Sequence, residues 1–310
     1  MKMLKEDFFE HIVRYMDENC MEGEKAEIQY ITKNNGIIMP GLVVKSVSRK
    51  ISPTIYLNSF YEDYMNGKCI EMIEYEILNC YRDNLIENDS LMDFFTDYKK
   101  VRERICYKVI SKERNQDLLK EIPHIEYLDL AIVFFYSLEA TEVKGASVLI
   151  KNSHLSMWQI DVETLVRDAV HNTPRIFEAT VRSMKDVLMN MMEMDSVDDE
   201  NDINMDELYG SMEMVKSSMH VITNQCGVFG ASVLLYSDFS RLFPVPEKDY
   251  YILPSSIHEL IIIPAEDIHD VGELKRMVVE VNCTQVPVCD ILSDNVYHYS
   301  YKENDISIVA

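Results

Sequence analysis

YLDLAIVFFYS, residues 127–137, is a nearly unbroken run of apolar, β-branched and aromatic side chains. Such a run suits a strand buried on both faces. It extends little further than this and falls well short of the roughly 18 apolar residues that a membrane-crossing helix needs, so no membrane span is expected. GASVLIK, residues 145–151, has the same character, and the polar residues between the two supply a turn. Together they predict a central antiparallel hairpin.

Toward the N-terminus, AEIQYIT (residues 26–32) alternates, Lys33-Asn-Asn-Gly36 supplies a turn, and IIMPGLVVKSV (residues 37–47) returns as a second strand. Asn-Gly tolerates the positive φ angles of a tight hairpin. Pro40 and Gly41 interrupt the second strand and predict an edge position or a bulge. Pro53-Thr-Ile-Tyr-Leu57 reads as a short strand. The first twenty residues place acids and a histidine among apolar side chains, which breaks any signal-peptide core. They space Leu4, Phe8, Ile12 and Tyr15 along one helix face, and a cytoplasmic protein is expected. From Asn58 to about Leu119 the pattern predicts two or three helices. The basic residues Lys99, Lys100, Arg102, Arg104, Lys108, Lys112 and Arg114 fall within it as a solvated face.

Beyond the central hairpin, Asp161 to Val170 predicts a helix capped by Asp161 or Ser156 and stopped by Asn172-Thr-Pro-Arg175, with a second helix from Ile176 to Met191. A strand (Met219 to Thr223), a glycine turn and a helix (Ala231 to Phe243) follow. Two strands (Tyr250 to Leu253, Ile257 to Ile263), a helix (Val271 to Val281) and a last strand (Val296 to Tyr301) complete the chain. The expected class is α+β, antiparallel or mixed sheets with helices packed on them. At 310 residues two lobes are expected, 1–125 and 126–310, the second with an acidic insert at about 193–210.

Charge limits the partners. Fifty-three acids against 30 bases give a net charge of −23, a field that repels polyanions, so direct nucleic-acid binding is not expected and a protein partner with a basic surface is. Residues 193–207 hold eight acids, and no lysine or arginine occurs between Lys185 and Lys216. Asp198, Asp199, Glu200 and Asp202 are the candidate binding residues there. As a calcium loop the segment lacks the glycine at the sixth position and the glutamate at the twelfth, where Ile203 and Tyr209 stand, so no metal is expected. The seven cysteines are scattered without a Cys-x-x-Cys pair, which predicts free thiols rather than disulfides or zinc.

Pro254-Ser-Ser-Ile-His-Glu259 is the string richest in chemical groups, and Ser256, His258 and Glu259 are the candidate catalytic residues. Sequence proximity alone does not make a triad. On an extended strand Ser256 and His258 share a face with Cα atoms about 7 Å apart while Glu259 points away. A hairpin whose polar residues serve a turn explains the same string. Asn224-Gln-Cys-Gly-Val-Phe-Gly230 joins a strand to a helix, and Asn224, Gly227 and Gly230 are candidates for holding an anion on exposed backbone N–H groups. The segment lacks a P-loop lysine and the dinucleotide glycine spacing, so no cofactor is expected. Cys226 stands beside it, and Arg175 is a candidate for a cleft.

Several strings together resemble a family of unknown function, domain of unknown function 5688, found mainly in gut-dwelling Firmicutes. They are Lys33-Asn-Asn-Gly36, Pro53-Thr-Ile-Tyr-Leu57, Leu128-Asp-Leu-Ala-Ile-Val133, Asn172-Thr-Pro-Arg175, Thr223-Asn224, Tyr251-Ile-Leu-Pro-Ser-Ser-Ile-His-Glu259 and Leu292-Ser-Asp294. The resemblance implies a bacterial cytoplasmic protein and transfers no catalytic role to any residue. The expected function is a non-enzymatic interaction or regulatory protein with an acidic binding surface. The alternative is a hydrolase or transferase built around Ser256, His258 and Glu259.

Overall fold

A computed structural model describes residues 2–47, 52–85, 96–137, 147–195 and 218–310, without the side chains of 191–195. Asp198, Asp199, Glu200 and Asp202, and with them most of the acidic segment, lie outside the described residues. The chain is α+β and divides into two compact units. The first runs to Arg102; the second holds Glu103–Ser137 and continues from Ser147 to Ala310. Residues 103–125, which sequence grouping put with the N-terminal lobe, carry strands of the second unit.

In the first unit, helix α1 (Lys5–Asn19) buries Phe8, Phe9, Ile12 and Met16, a stripe of three- and four-residue steps. Leu4, expected on that face, precedes the helix and is exposed. Strands β1 (Glu24–Thr32) and β2 (Ile38–Ser46) form an antiparallel hairpin in continuous register from Glu24 opposite Ser46 to Thr32 opposite Ile38. Asn35 and Gly36 take φ of 58° and 69° in its turn, as the Asn-Gly pair requires. Strand β3 (Thr54–Tyr56) pairs with the other side of β2.

Thus β2 is central, and the edge or bulge expected from Pro40 and Gly41 does not occur. The reason is local. The Pro40 carbonyl accepts from Leu57 N–H at 3.2 Å, so the proline nitrogen, on the same side, points past the end of β3 where no ladder needs a donor. Gly41 allows the close approach of β3, since a Cβ there would lie 2.4 Å from Thr54 Cγ2. Helices α2 (Asn58–Met65) and α3 (Ile70–Asp83) complete the core with Ile73, Ile77, Leu78 and Tyr81. A short helix α4 (Tyr98–Val101) ends the unit.

The second unit opens with β4 (Ile105–Ser111), followed by α5 (Gln116–Leu119), β5 (His124–Tyr127), β6 (Leu130–Ser137) and β7 (Ser147–Leu149). The predicted central strand is β6; it pairs with β4 along one edge and with β5 and then β7 along the other, all antiparallel. The β6–β7 pairing is the hairpin read from sequence. Strand β4 corrects the expectation of helix to Leu119. ICYKVIS buries every residue except Lys108, so it needs burial on both faces, and its β-branched residues suit a strand. The basic residues are accordingly spread over helix, turn and strand rather than along one helix face.

After α6 (Asn152–Trp158) comes α7 (Val162–Ile176), whose N-cap Asp161 accepts from Thr164 N–H at 2.8 Å. The expected stop at Asn172-Thr-Pro-Arg175 does not occur, because Pro174 lies in the last turn, where few further backbone bonds depend on it. The expected second helix is replaced at its start by β8 (Ala179–Ser183), and α8 (Met184–Asp195) follows. The remaining strands are β9 (His220–Asn224), β10 (Tyr250–Leu253), β11 (Leu260–Pro264), β12 (Tyr297–Ser300) and β13 (Asp305–Ile308), with α9 (Val271–Thr284) between β11 and β12.

Six strands form one antiparallel sheet in the order β13-β12-β10-β11-β9-β8. Leu274 and Val278 of α9 pack with Leu253, Ile263, Met219 and Val296. The helix expected from Ala231 to Phe243 is instead two 3-10 turns, Gly230–Leu235 and Phe239–Leu242. Residues 230–234 are all buried, and Ala231 N–H donates to Ile257 O. Among the described residues no helix is long and apolar enough to cross a membrane.

Candidate functional site

The segment between β10 and β11 holds the candidate catalytic residues, and the backbone around it explains their placement. Leu292 N–H donates to Ser255 O and Ser293 N–H to Pro254 O, while Ile257 N–H donates to Asp290 O at 2.8 Å. These bonds clamp Pro254–Ile257 against residues 290–293. Ser256 is buried, and its Oγ accepts from the His258 backbone N–H at 3.0 Å. This is the side chain-to-backbone bond of a turn.

The His258 ring stacks on Phe229 at 6.2 Å with planes 11° apart. Its Nδ1 accepts from Phe229 N–H at 3.4 Å, and its Nε2 stands 3.5 Å from Asp290 Oδ1. With Nδ1 accepting, the proton sits on Nε2 and faces Asp290. A serine nucleophile would need its oxygen about 2.6–3.2 Å from a basic ring nitrogen. Here Nδ1 accepts from Phe229 N–H, Nε2 faces Asp290 and the Ser256 hydroxyl accepts from backbone, so the two side chains are not bonded to each other. Glu259 takes no part in this network.

Phe229 is held by its neighbours. It has φ of 55°, touches Phe135 at 5.3 Å, and has the Lys108 ammonium 3.9 Å from its ring centroid. Gly230 beside it is obligatory: a Cβ would lie 2.1 Å from Thr223 Oγ1 and 2.2 Å from His258 O. Thr223 Oγ1 itself donates to His258 O at 2.7 Å. The Asn224 side chain closes the intervening turn, accepting from Cys226 N–H at 3.0 Å and donating to Val228 O at 2.8 Å, while Gly227 N–H donates to Asn224 O. The N–H groups of Cys226 and Gly227 are therefore bonded within the turn. Asn224, Gly227, Gly230 and His258 come together; Arg175 does not join them and donates to Glu103 O at 3.1 Å.

Two polar centres escaped sequence reading. Asp129 accepts from Ser293 Oγ at 2.6 Å, from Asn295 Nδ2 at 2.8 Å and from the Tyr297 hydroxyl. Burial, then the Asp129 charge, push the Tyr297 hydroxyl well above its usual range. Burial does the same to Tyr107 and Tyr236, so all three phenols stay protonated at neutral pH. Asn172 Nδ2 donates to Ile105 O at 3.0 Å, and Thr173 Oγ1 accepts from Tyr107 N–H at 3.0 Å while donating to Ala169 O. These two side chains of α7 cap the outer edge of β4. The polar residues were visible in the sequence; apart from Ala169, their partners, 66 to 168 positions away, were not.

An open cavity of about 540 Å³ is lined by Lys112, Gln116, Lys120, His124, Glu126 and Leu128, among others. Its size suits a small molecule. Its lysines are already paired, Lys112 with Glu126 at 2.6 Å and Lys120 with Asp117 at 2.7 Å, so it presents no uncompensated ammonium. Among the described residues no group of three or more His, Cys, Asp or Glu could hold a metal ion. No curated protein and no solved structure matches the chain. The model of a family of unknown function, DUF5688, matches residues 5–301, nearly the whole length, and the chain belongs to that family.

Proposed function

We propose that this protein acts in a bacterial cytoplasm by binding a protein partner with a basic surface, through its own acidic surface, and catalyses no reaction. The observation that carries the reading is the geometry at His258. His258 Nδ1 accepts from Phe229 N–H, Nε2 stands 3.5 Å from Asp290, and the Ser256 hydroxyl accepts from the His258 backbone. Ser256 and His258 are thus not joined as nucleophile and base, which counts against the hydrolase or transferase alternative. The net charge of −23 supports the choice of partner and disfavours direct nucleic-acid contact.

The test is affinity capture from bacterial lysate with the full chain and with a variant lacking residues 193–207, at rising salt. A partner that is basic, is released as screening increases and is lost with the segment supports the reading. Salt-insensitive capture, or turnover in a hydrolase and transferase panel that His258→Ala abolishes, overturns it.

A further inference from the structure

The outer edge of β1 is an open strand edge. Ala26 N–H donates to Asp17 Oδ1 and Glu24 N–H to Met21 O, so the even-numbered residues of β1 direct their backbone groups away from β2. Lys33 N–H, donating to Ile37 O across the hairpin, fits the same alternation. Asp17 covers the edge at Ala26. Further along, the outward N–H and C=O groups of Ile28, Tyr30 and Thr32 have no partner among the described residues. Tyr30 is 69% exposed and Ile38 61% exposed; cross-strand pairing of Tyr30 with Pro40 and of Thr32 with Ile38 puts all four side chains on one face. An unprotected edge beside exposed apolar residues is a template for another strand.

We propose that this edge pairs with the same edge of a second copy of the chain, antiparallel and centred on Tyr30. The register follows from the residues. Centring on Tyr30 sets Ile28 opposite Thr32 of the second copy and Tyr30 opposite its own counterpart, so that every open residue faces an open residue and all exchange main-chain bonds. The same register sets Glu27, which already pairs with Lys45 of its own chain at 2.7 Å, opposite Lys33 of the second copy, twice by symmetry, so that each carboxylate lies between two ammonium groups. Shifting by one step toward the N-terminus would instead set Lys25 against Lys33, and shifting the other way leaves Ile28 unpaired. Backbone, charge and the exposed tyrosine therefore select one self-complementary arrangement, and a second copy satisfies it without further assumptions.

The experiment is sedimentation equilibrium on the full chain up to about 200 µM, at about 0.15 M salt, where a Debye length near 8 Å screens the overall charge repulsion. A dimer is expected. Tyr30→Pro removes an outward N–H without touching the β1–β2 ladder and is expected to abolish dimerisation. Lys33→Glu, and Glu27→Lys combined with Lys45→Glu to keep the pair within the hairpin, are each expected to weaken the dimer roughly tenfold or more, and all three changes together to restore it, because the exchanged charges again face their opposites. The triple variant keeps the test decisive if Tyr30→Pro fails to fold. A wild-type chain that stays monomeric throughout, or a dimer that the charge reversals leave unchanged, overturns the proposal.

Discussion

Replacing Asp129 by alanine removes the acceptor on which three donors converge. Tyr297 is fully buried and Ser293 nearly so, and in the variant both hydroxyls would have to find new acceptors in the same space. A hydrogen bond to a charged group contributes about 1.5–3 kcal/mol, and each buried orphan costs about 1–3 kcal/mol. Asp129 itself is half-buried, so water reaching the gap offsets part of that sum. The expected loss is about 3 kcal/mol. Urea unfolding of the full chain, followed by the fluorescence of Trp158, the sole tryptophan and a residue of the same unit, is expected to show a midpoint about 1 M lower. Tyr297→Phe alone is expected to cost about 1 kcal/mol, and the double variant less than the two separately, because the orphaned hydroxyl is gone. A loss under about 1 kcal/mol for Asp129→Ala, or strict additivity in the pair, refutes the assignment of Asp129 as the hub.

Gly230→Ala is expected to cost at least about 3 kcal/mol or to prevent folding, since a backbone carbonyl stands 2.2 Å from the new Cβ. Gly227→Ala, with nothing within 4 Å but φ of 65°, is expected to cost only about 1 kcal/mol, and thermal unfolding of the pair separates contact from backbone strain. His154 is held below the usual imidazole pKa by burial and then by Lys151, and its Nδ1 accepts from Lys151 N–H. A depressed pKa means that the folded state favours the neutral ring, so the stability it contributes is present above about pH 6.5 and is lost as pH falls through the lowered folded value. The His154 ring lies 5.4 Å from Trp158, so its protonation should change Trp158 fluorescence in that window, and a profile that His154→Phe leaves unchanged would remove His154 as the cause.

The parts of the fold that sequence made legible are those whose signal is local. The β1–β2 hairpin is specified by Asn35 and Gly36, which supply the positive φ angles of its turn, and β6 by an apolar run whose only use is double-sided burial. Strand β4 was hidden because its seven residues sit among charges that mimic a helix face, and only the pairing with β6 decides between the two. The Gly230–Leu235 segment has the composition of a helix but forms 3-10 turns, with Ile257 O satisfying the Ala231 N–H that a first turn leaves unpaired. At the candidate site the string Pro254–Glu259 was visible as one unit. Its meaning was not, since it depends on Asp290 and Phe229, whose distance to the ring is fixed by the tertiary fold.

Several of the strings that carry the family resemblance bond to distant parts of the folded chain, and what they do there bears on function. Leu128-Asp129 meets Leu292-Ser293-Asp294 through the Asp129–Ser293 bond, 164 residues apart in the chain. Asn172-Thr173 meets β4, giving it a donor at Ile105 O and an acceptor at Tyr107 N–H. Thr223-Asn224 meets Ile257-His258 around Gly230, where no side chain fits. Each meeting satisfies buried backbone or side-chain groups that would otherwise cost about 1–3 kcal/mol apiece. A residue spent on such a joint cannot also present its polar atoms to a substrate without breaking the joint. These strings thus describe how this fold closes, and residues that act on a partner are to be sought on surfaces these joints leave open, such as the unpaired edge of β1.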